Sequence, residues 1–188
     1  MRLLCVFGTR PEAVKLAPVL LALRAEPSVE TRICVTGQLR ALLDGALDMF
    51  ALVPDRDLDL MRPGQVPGEL LARAIAALDR VLAQERPDRV IVQGDTSSAL
   101  AAALAAFHRR IPVGHVEAGL RTYRPAAPFP EELNRRTIAL AADLHFAPTW
   151  EARANLESER LHGQVFVTGN SGIDALHHVV AKLEDMDF

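Results

Sequence analysis

Short apolar runs alternate along the chain with longer segments whose apolar residues recur at helical spacing. Arg2–Phe7 is an almost continuous apolar run, which is typical of a strand buried on both faces of a sheet. The segment 69–84 has apolar residues at helical spacing and predicts an amphipathic helix. This alternation predicts strand–helix–strand units with right-handed crossovers, and therefore a parallel sheet.

The same pattern predicts the other elements along the chain. Strands are expected at Arg2–Phe7, Thr31–Thr36, Asp57–Leu60, Arg89–Gln93, Pro112–Val116 and Val165–Thr168, with a further short apolar segment at Leu144–Ala147. Helices are expected at Glu12–Ala25, Leu39–Phe50, Glu69–Gln84, Ser97–Phe107, Glu131–Ala142, Trp150–Ser158 and Ser171–Leu183. Pro18 should kink the first helix or shift its start, because proline lacks the N–H that a helix interior needs.

A chain of 188 residues is long enough for one α/β domain with a substantial core. The predicted fold is a Rossmann-like parallel sheet flanked by helices, formed by residues 1–188 as a single domain. The strand order is expected to follow the common 3-2-1-4-5 arrangement, in which the first and fourth strands lie side by side.

Composition excludes several classes of protein. The net charge is −3, with no basic footprint for nucleic acid, and no apolar run approaches the ~18 residues that a membrane helix needs. Cys5 and Cys34 lie in apolar runs and are expected to be buried thiols, which suits a cytoplasmic protein. His115 lies within a predicted strand and is interpreted as a core histidine. No histidine or cysteine cluster has metal-ligand spacing, so we expect no metal.

Charged side chains follow three of the predicted strands. Arg10 and Lys15 follow the first strand. Asp95 follows the fourth strand, and Glu117 follows the fifth. Because ligands bind beyond the carboxyl ends of parallel strands, we expect these groups to share one crevice. The first loop has a single glycine and lacks G-x-G-x-x-G, and no Walker lysine pattern occurs. The sequence therefore does not favour a nicotinamide-binding or P-loop domain.

Each of these residues also has a structural interpretation. Asp95 could cap the helix that begins near Thr96. Arg10 and Lys15 could be solvated surface charges. Glu131 opens a helix, where an acidic residue complements the helix dipole. Glu117 is harder to explain structurally, because it directly follows an apolar strand and should lie at the edge of the sheet.

Several stretches together resemble the non-hydrolysing UDP-N-acetylglucosamine (UDP-GlcNAc) 2-epimerases. The pairing of HVEAGLRT with PFPEELNR is the most specific part of the resemblance. The matching stretches are GTRPEAVKLAPV (8–19), VTGQ (35–38), VQGDTSSALAAALAAFHRRIPVGHVEAGLRT (92–122), PFPEELNRR (128–136) and VTGNSGIDAL (167–176).

The resemblance implies a reaction that interconverts UDP-GlcNAc and UDP-N-acetylmannosamine (UDP-ManNAc) without a cofactor. UDP is eliminated across C1–C2, leaving 2-acetamidoglucal, and then adds back on the opposite face. By match to the family motifs, the catalytic carboxylates are Asp95, Glu117 and Glu131. Arg10 and Lys15 match residues that line the substrate site.

The resemblance also implies the first half of a two-domain GT-B architecture. The second domain, absent from these 188 residues, would supply a catalytic histidine and most contacts to the nucleotide, so we expect the chain alone to be nearly inactive. Family members commonly form homodimers through this domain and make precursors of cell-surface polysaccharides.

One region departs from the family pattern. Gln38, Arg40, Arg62 and Gln65 resemble residues that line a second, regulatory UDP-GlcNAc site in bacterial members. Leu39 stands where the family usually has a histidine, which puts regulation in doubt.

Three alternative functions remain open from the sequence. A hydrolysing relative would share these motifs and release free N-acetylmannosamine with UDP. A non-catalytic domain would only bind sugar nucleotide or dimerise. The third alternative is a glycosyltransferase of the same architecture, which the sequence favours less because such an enzyme would not need the carboxylate in HVEAGLRT.

Overall fold

The computed structural model describes residues 1–37, 40–62 and 64–184, which form a seven-stranded parallel sheet in the order β3-β2-β1-β4-β5-β6-β7. The strands are β1 Arg2–Phe7, β2 Glu30–Val35, β3 Arg56–Asp57, β4 Arg89–Gln93, β5 Val113–Val116, β6 Leu144–Ala147 and β7 Gln164–Val167. The helices are α1 Arg10–Arg24, α2 Arg40–Met49, α3 Pro67–Glu85, α4 Ser97–His108, α5 Glu131–Ala141, α6 Trp150–Ser158 and α7 Ser171–Glu184. The predicted fold class and strand order are confirmed.

Side chains of the central strand β1 alternate between two cores. Leu4 and Val6 pack into a cluster with α3, α4 and α5, whereas Cys5 and Phe7 pack with α1 and α2 on the other face. Consecutive residues of a strand point to opposite faces, and both faces of this strand are covered by helices. Cys5 and Cys34 are buried free thiols in different clusters, as predicted.

The third strand and the first helix differ from the prediction in ways that have a clear physical reason. The third strand is Arg56–Asp57 rather than 57–60, because Asp59 has a φ of 43° and leaves the extended conformation. The first helix begins two residues before the predicted Glu12, and it continues through Pro18 to Arg24. It starts at Arg10, where a proline occupies the first turn and Thr9 forms a capping box with the third helical residue.

Across the described helices, none combines the length and the apolar character needed to cross a bilayer.

Gly8 allows three loops to approach closely at the end of β1. The hydroxyl groups of Thr36 and Ser98 lie 2.7 Å apart in a buried contact, and a Cβ added at Gly8 would overlap both oxygens. A glycine at this position is therefore a packing requirement, which links β1 to the ends of β2 and β4.

We expect Gly8→Ala to lower the free energy of unfolding by about 1–3 kcal/mol, the usual range for overpacking a tight interior site. Gly45→Ala is the matched control, because Gly45 lies within α2 and an added Cβ would meet nothing within 4 Å. That control should instead gain up to about 1 kcal/mol from helix propensity. Urea unfolding measures both changes, and equal effects of the two variants would contradict the packing argument.

Candidate active site at the carboxyl edge of the sheet

Glu117 is held at the end of β5 by two neighbours. Its Oε2 lies 2.5 Å from Lys15 Nζ and accepts a hydrogen bond from Gln93 Nε2 at 3.1 Å. Glu117 has a φ of 64°, a left-handed conformation that is uncommon outside glycine and often occurs at functional sites. Lys15 and Glu117 therefore meet as predicted, across the loops that follow β1 and β5.

Asp95, after β4, lies in the same crevice. Arg135 of α5 approaches it with 3.2 Å between Nη2 and Oδ2, and the carboxylate is partly buried. Burial raises the pKa of Asp95; Arg135 and Lys15 oppose this rise, while the nearby charges of Glu117 and Glu131 add to it. The pKa of Asp95 thus depends on every charged group proposed for the site except Arg10.

The structure decides whether Asp95 caps the following helix. Thr96 is the N-cap of α4, and its Oγ1 accepts a hydrogen bond from Ala99 N at 3.0 Å. Asp95 is one residue outside the helix, and its carbonyl oxygen accepts a hydrogen bond from Asn134 Nδ2 at 2.9 Å. The capping interpretation of Asp95 is therefore wrong, and its carboxylate remains available to the crevice.

The two acidic residues that open α5 have different environments. Glu132 is 0% exposed and accepts hydrogen bonds from the backbone N–H groups of Thr122 and Tyr123, both at 3.0 Å. It therefore fixes the loop after β5. Glu131 is only partly buried, and its charge reaches Asp95. Of these two carboxylates, only Glu131 raises the pKa of Asp95.

Arg10 and Lys15 both line an open cleft of about 640 Å³, and Lys15 connects this cleft to the carboxylate of Glu117. Arg10 is exposed in the first turn of α1. The other lining residues are Pro11, Val14, Leu42, Gly45, Ala46, Met49 and Gly172. The cleft is bordered by α1, α2 and the start of α7, so a ligand at the carboxylates could extend toward the two cations.

Glu12 is a buried carboxylate that sequence analysis missed. It is 1% exposed and bonds to Gly8, Thr9 and Thr96, which belong to the loops after β1 and β4. The spacing of Thr9 and Glu12 matches the capping-box pattern and could have revealed part of this role.

Arg135 and Gln93 were also missed, and both contact predicted site residues. Arg135 lies four residues after Glu131, a spacing that places both on one side of α5, so helical periodicity could have found it. Gln93 is buried at the end of β4 and had no sequence signal beyond its position.

His115 is a core residue, as predicted. It is 0% exposed, and its Nε2 lies 2.7 Å from the carbonyl oxygen of Gly94. Burial lowers the pKa of His115 to about 4, so the ring is neutral at physiological pH. Across the residues that the structure describes, no three His, Cys, Asp or Glu side chains are grouped to hold a metal ion.

The predicted regulatory residues are only partly described. Gln38 and the side chain of Arg40 lie outside the described part of the chain. Arg62 and Gln65 line a cavity of about 520 Å³ together with Ser97. The Gln65 side chain accepts hydrogen bonds from Arg62 N and from the Arg73 guanidinium. This cavity borders the loop that carries Asp95, so it lies next to the acidic crevice.

The fold and its acidic crevice define a Rossmann-like domain that corresponds to the first half of a GT-B architecture. A lipopolysaccharide outer core galactosyltransferase shares this fold at 13% identity, with a TM-score of 0.65 over 90% of this chain and 46% of that chain. A sequence model of the family described as UDP-N-acetylglucosamine 2-epimerase matches residues 21–187. The chain belongs to this family.

Relatives with closer sequences match nearly the whole chain. The UDP-N-acetylglucosamine 2-epimerase of Salmonella typhimurium is 51% identical over 177 residues, which are 94% of this chain and 47% of the relative. The crystal structure of the Neisseria meningitidis UDP-GlcNAc 2-epimerase bound to UDP-GlcNAc has a TM-score of 0.95 and 47% identity, covering 98% of this chain and 50% of that one. The chain spans about half the length of the curated relatives it matches.

The raised pKa of Asp95 predicts a pH-dependent effect on stability. The folded state binds this proton more tightly than the unfolded state, so Asp95 becomes less favourable to folding as pH rises from about 3.9, the ordinary aspartate pKa, through its raised value. Asp95→Asn removes this ionisation. We therefore expect the free energy of unfolding of the variant, relative to the parent, to increase with pH over that window.

Asp79→Asn is the control for this measurement. Its hydrogen bond with Arg109 holds the pKa of Asp79 below the usual range, so this carboxylate stabilises the fold above about 3.9. The free energy of unfolding of Asp79→Asn should lie below that of the parent by a constant amount above that pH, and the difference should shrink only below it. Urea unfolding at several pH values measures both trends. If the difference in free energy of unfolding between Asp95→Asn and the parent does not change with pH, the prediction for Asp95 is contradicted.

Proposed function

We propose that this domain supplies the acidic part of the active site for the non-hydrolysing 2-epimerisation of UDP-GlcNAc to UDP-ManNAc. The observation that carries the proposal is the meeting of Asp95, Glu117 and Lys15 in one crevice at the switch point of the sheet. Family membership and two liganded relatives support the substrate class: the Neisseria meningitidis structure is bound to UDP-GlcNAc, and that of Methanocaldococcus jannaschii, 34% identical, is in complex with UDP-GlcNAc and UDP.

The reaction needs a proton acceptor and donor at C2 and an anion near C1. In the forward step a base removes the C2 proton while the bond between C1 and the UDP oxygen breaks, leaving UDP and 2-acetamidoglucal. In the return step C2 is protonated on the opposite face and the UDP oxygen bonds again to C1. Positive charge develops at C1 during both steps, and a nearby carboxylate stabilises it.

The environments of the three carboxylates suit these different tasks. Burial raises the pKa of Asp95, and a raised pKa suits a carboxyl group that exchanges a proton with the substrate. Glu117, paired with Lys15, offers a fixed anion for the charge at C1. Glu131, partly buried beside them, is the third group available for proton transfer at C2.

This domain offers fewer binding groups to the nucleotide than to the sugar of the substrate. Arg10 and Lys15 line the cleft beside the carboxylates and suit the diphosphate. We infer that most contacts to uridine come from the second half found in relatives of about twice this length. The 188 residues alone should therefore bind UDP-GlcNAc weakly and turn over little of it.

Removing the carboxylates one at a time tests the proposal in the full-length gene product that contains this chain. We expect Asp95→Asn, Glu117→Gln and Glu131→Gln each to lower kcat by about 10²-fold or more, the range for acid–base groups. Glu151→Gln, an exposed first-turn residue of α6, should leave kcat unchanged. NMR in D2O follows both the formation of UDP-ManNAc and the incorporation of deuterium at C2.

Two outcomes would reject the proposal in different ways. Normal turnover in all three carboxylate variants would remove the catalytic role from this crevice. Release of free N-acetylmannosamine with UDP, in place of UDP-ManNAc, would assign the domain to a hydrolysing enzyme.

A further inference from the structure

We propose that Glu12 and Thr96 form a positioning pair that fixes Asp95 relative to Lys15 and Glu117. The pair contributes no group to the chemistry and acts by tying the loop after β1 to the loop after β4. This inference rests on the proposed function, since it assigns the residues that hold that site in its reacting geometry.

The two oxygens of Glu12 serve different loops. Oε2 accepts hydrogen bonds within the loop after β1, from Gly8 N at 3.0 Å and from Thr9 N and Oγ1 at 2.8 Å. Oε1 accepts a hydrogen bond from the Thr96 hydroxyl, which lies 84 positions away in sequence, at 2.7 Å. One rigid carboxylate thus joins the ends of two neighbouring strands.

A capping role alone does not explain this arrangement. A capping box needs only the bond from the third helical residue back to the N-cap, which one oxygen of Glu12 supplies. Glu12 is nevertheless 1% exposed, and burying a carboxylate is unfavourable unless its oxygens are satisfied. Burial raises the pKa of Glu12, although four donors oppose the rise. The second oxygen is satisfied only because Thr96 reaches across from β4.

Thr96 transmits this constraint to Asp95, its immediate neighbour. The Thr96 hydroxyl donates to Glu12 and also accepts from Ala99 N, so it is fixed from both sides. On the other side of the peptide, the carbonyl oxygen of Asp95 is held by Asn134. The main chain at Asp95 is therefore pinned to α1 through Glu12 and to α5 through Asn134.

Lys15 belongs to the same helix as Glu12, one turn further along. The bond between Glu12 and Thr96 therefore sets how far Asp95 lies from the Lys15–Glu117 pair. A displacement of about 1 Å in such a site can lower a rate by about 10²-fold. Loss of the Thr96 hydroxyl should consequently affect the chemical step more than substrate binding.

The experiment compares Thr96→Val with Thr149→Val in the full-length gene product. Thr149 is the N-cap of α6 and accepts from Ala152 N at 3.1 Å, so both variants lose an equivalent cap. Thr96→Val should lower the melting temperature further, because it also leaves Glu12 Oε1 without its donor. Only Thr96→Val also loses the bond to Glu12. Thr96→Ser keeps the hydroxyl and serves as the conservative rescue.

We expect Thr96→Val to lower kcat by about tenfold or more, with KM for UDP-GlcNAc changed by less than about threefold. Thr149→Val should change kcat by less than about twofold, and Thr96→Ser should restore most of the activity. Equal kcat values for Thr96→Val and Thr149→Val would overturn the inference. If those two kcat values are equal while Asp95→Asn is inactive in the same assay, the positioning role is rejected and the proposed function stands.

A second readout does not depend on turnover. Carbon-13 NMR of the Asp95 carboxyl in this chain reports how the group sits among Arg135, Lys15, Glu117 and Glu131, whose charges act on it. Thr96→Val should shift the titration of Asp95, whereas Thr149→Val should not. An unchanged titration in Thr96→Val would also overturn the inference.

Discussion

Parallel pairing of β1 with β4 brings together two loops that are more than eighty residues apart in sequence. The strands are in register from Leu3 opposite Arg89 to Val6 opposite Val92, so they end at the same level. The crossovers on either side of this pair cover opposite faces of the sheet, which leaves a crevice above their ends. Within that crevice Glu12 bonds to groups of both loops, and we propose that this contact sets the position of Asp95 relative to Lys15.

The chemistry proposed for the site depends on carboxylates with unlike surroundings. Asp95 is partly buried and faces Arg135, Glu117 is paired with Lys15, and Glu131 acts on Asp95 through its charge. A reaction that moves a proton at one carbon and charge at the next requires groups of unlike proton affinity within one pocket. Glu132 differs from these three, because it is fully buried, accepts hydrogen bonds from the backbone of the loop after β5 and pairs with Arg135 at 3.4 Å.

Sequence patterns predicted the sheet well because a strand that is buried on both faces has an almost continuous run of apolar residues. Strands β1 and β4 and helix α3 could be predicted from their own residues, without knowing which elements they pack against. Side-chain roles in the loops were harder to predict. Whether Asp95 or Thr96 caps α4, and whether Glu131 or Glu132 faces the crevice, depends on a shift of one residue. Such a shift turns a helical side chain by about 100°, and patterns of hydrophobicity do not report it. The role of Glu12 depends on a hydroxyl from another strand, which only the folded chain reveals.

In the proposed function, the reacting carbons of a sugar nucleotide lie between carboxylates of this domain. A crystal structure of the full-length gene product with UDP-GlcNAc bound tests it most directly. We expect C1 and C2 of the sugar to contact the Asp95 and Glu117 side chains, with the diphosphate toward Arg10. A bound sugar ring that contacts neither carboxylate would rule out the proposed site.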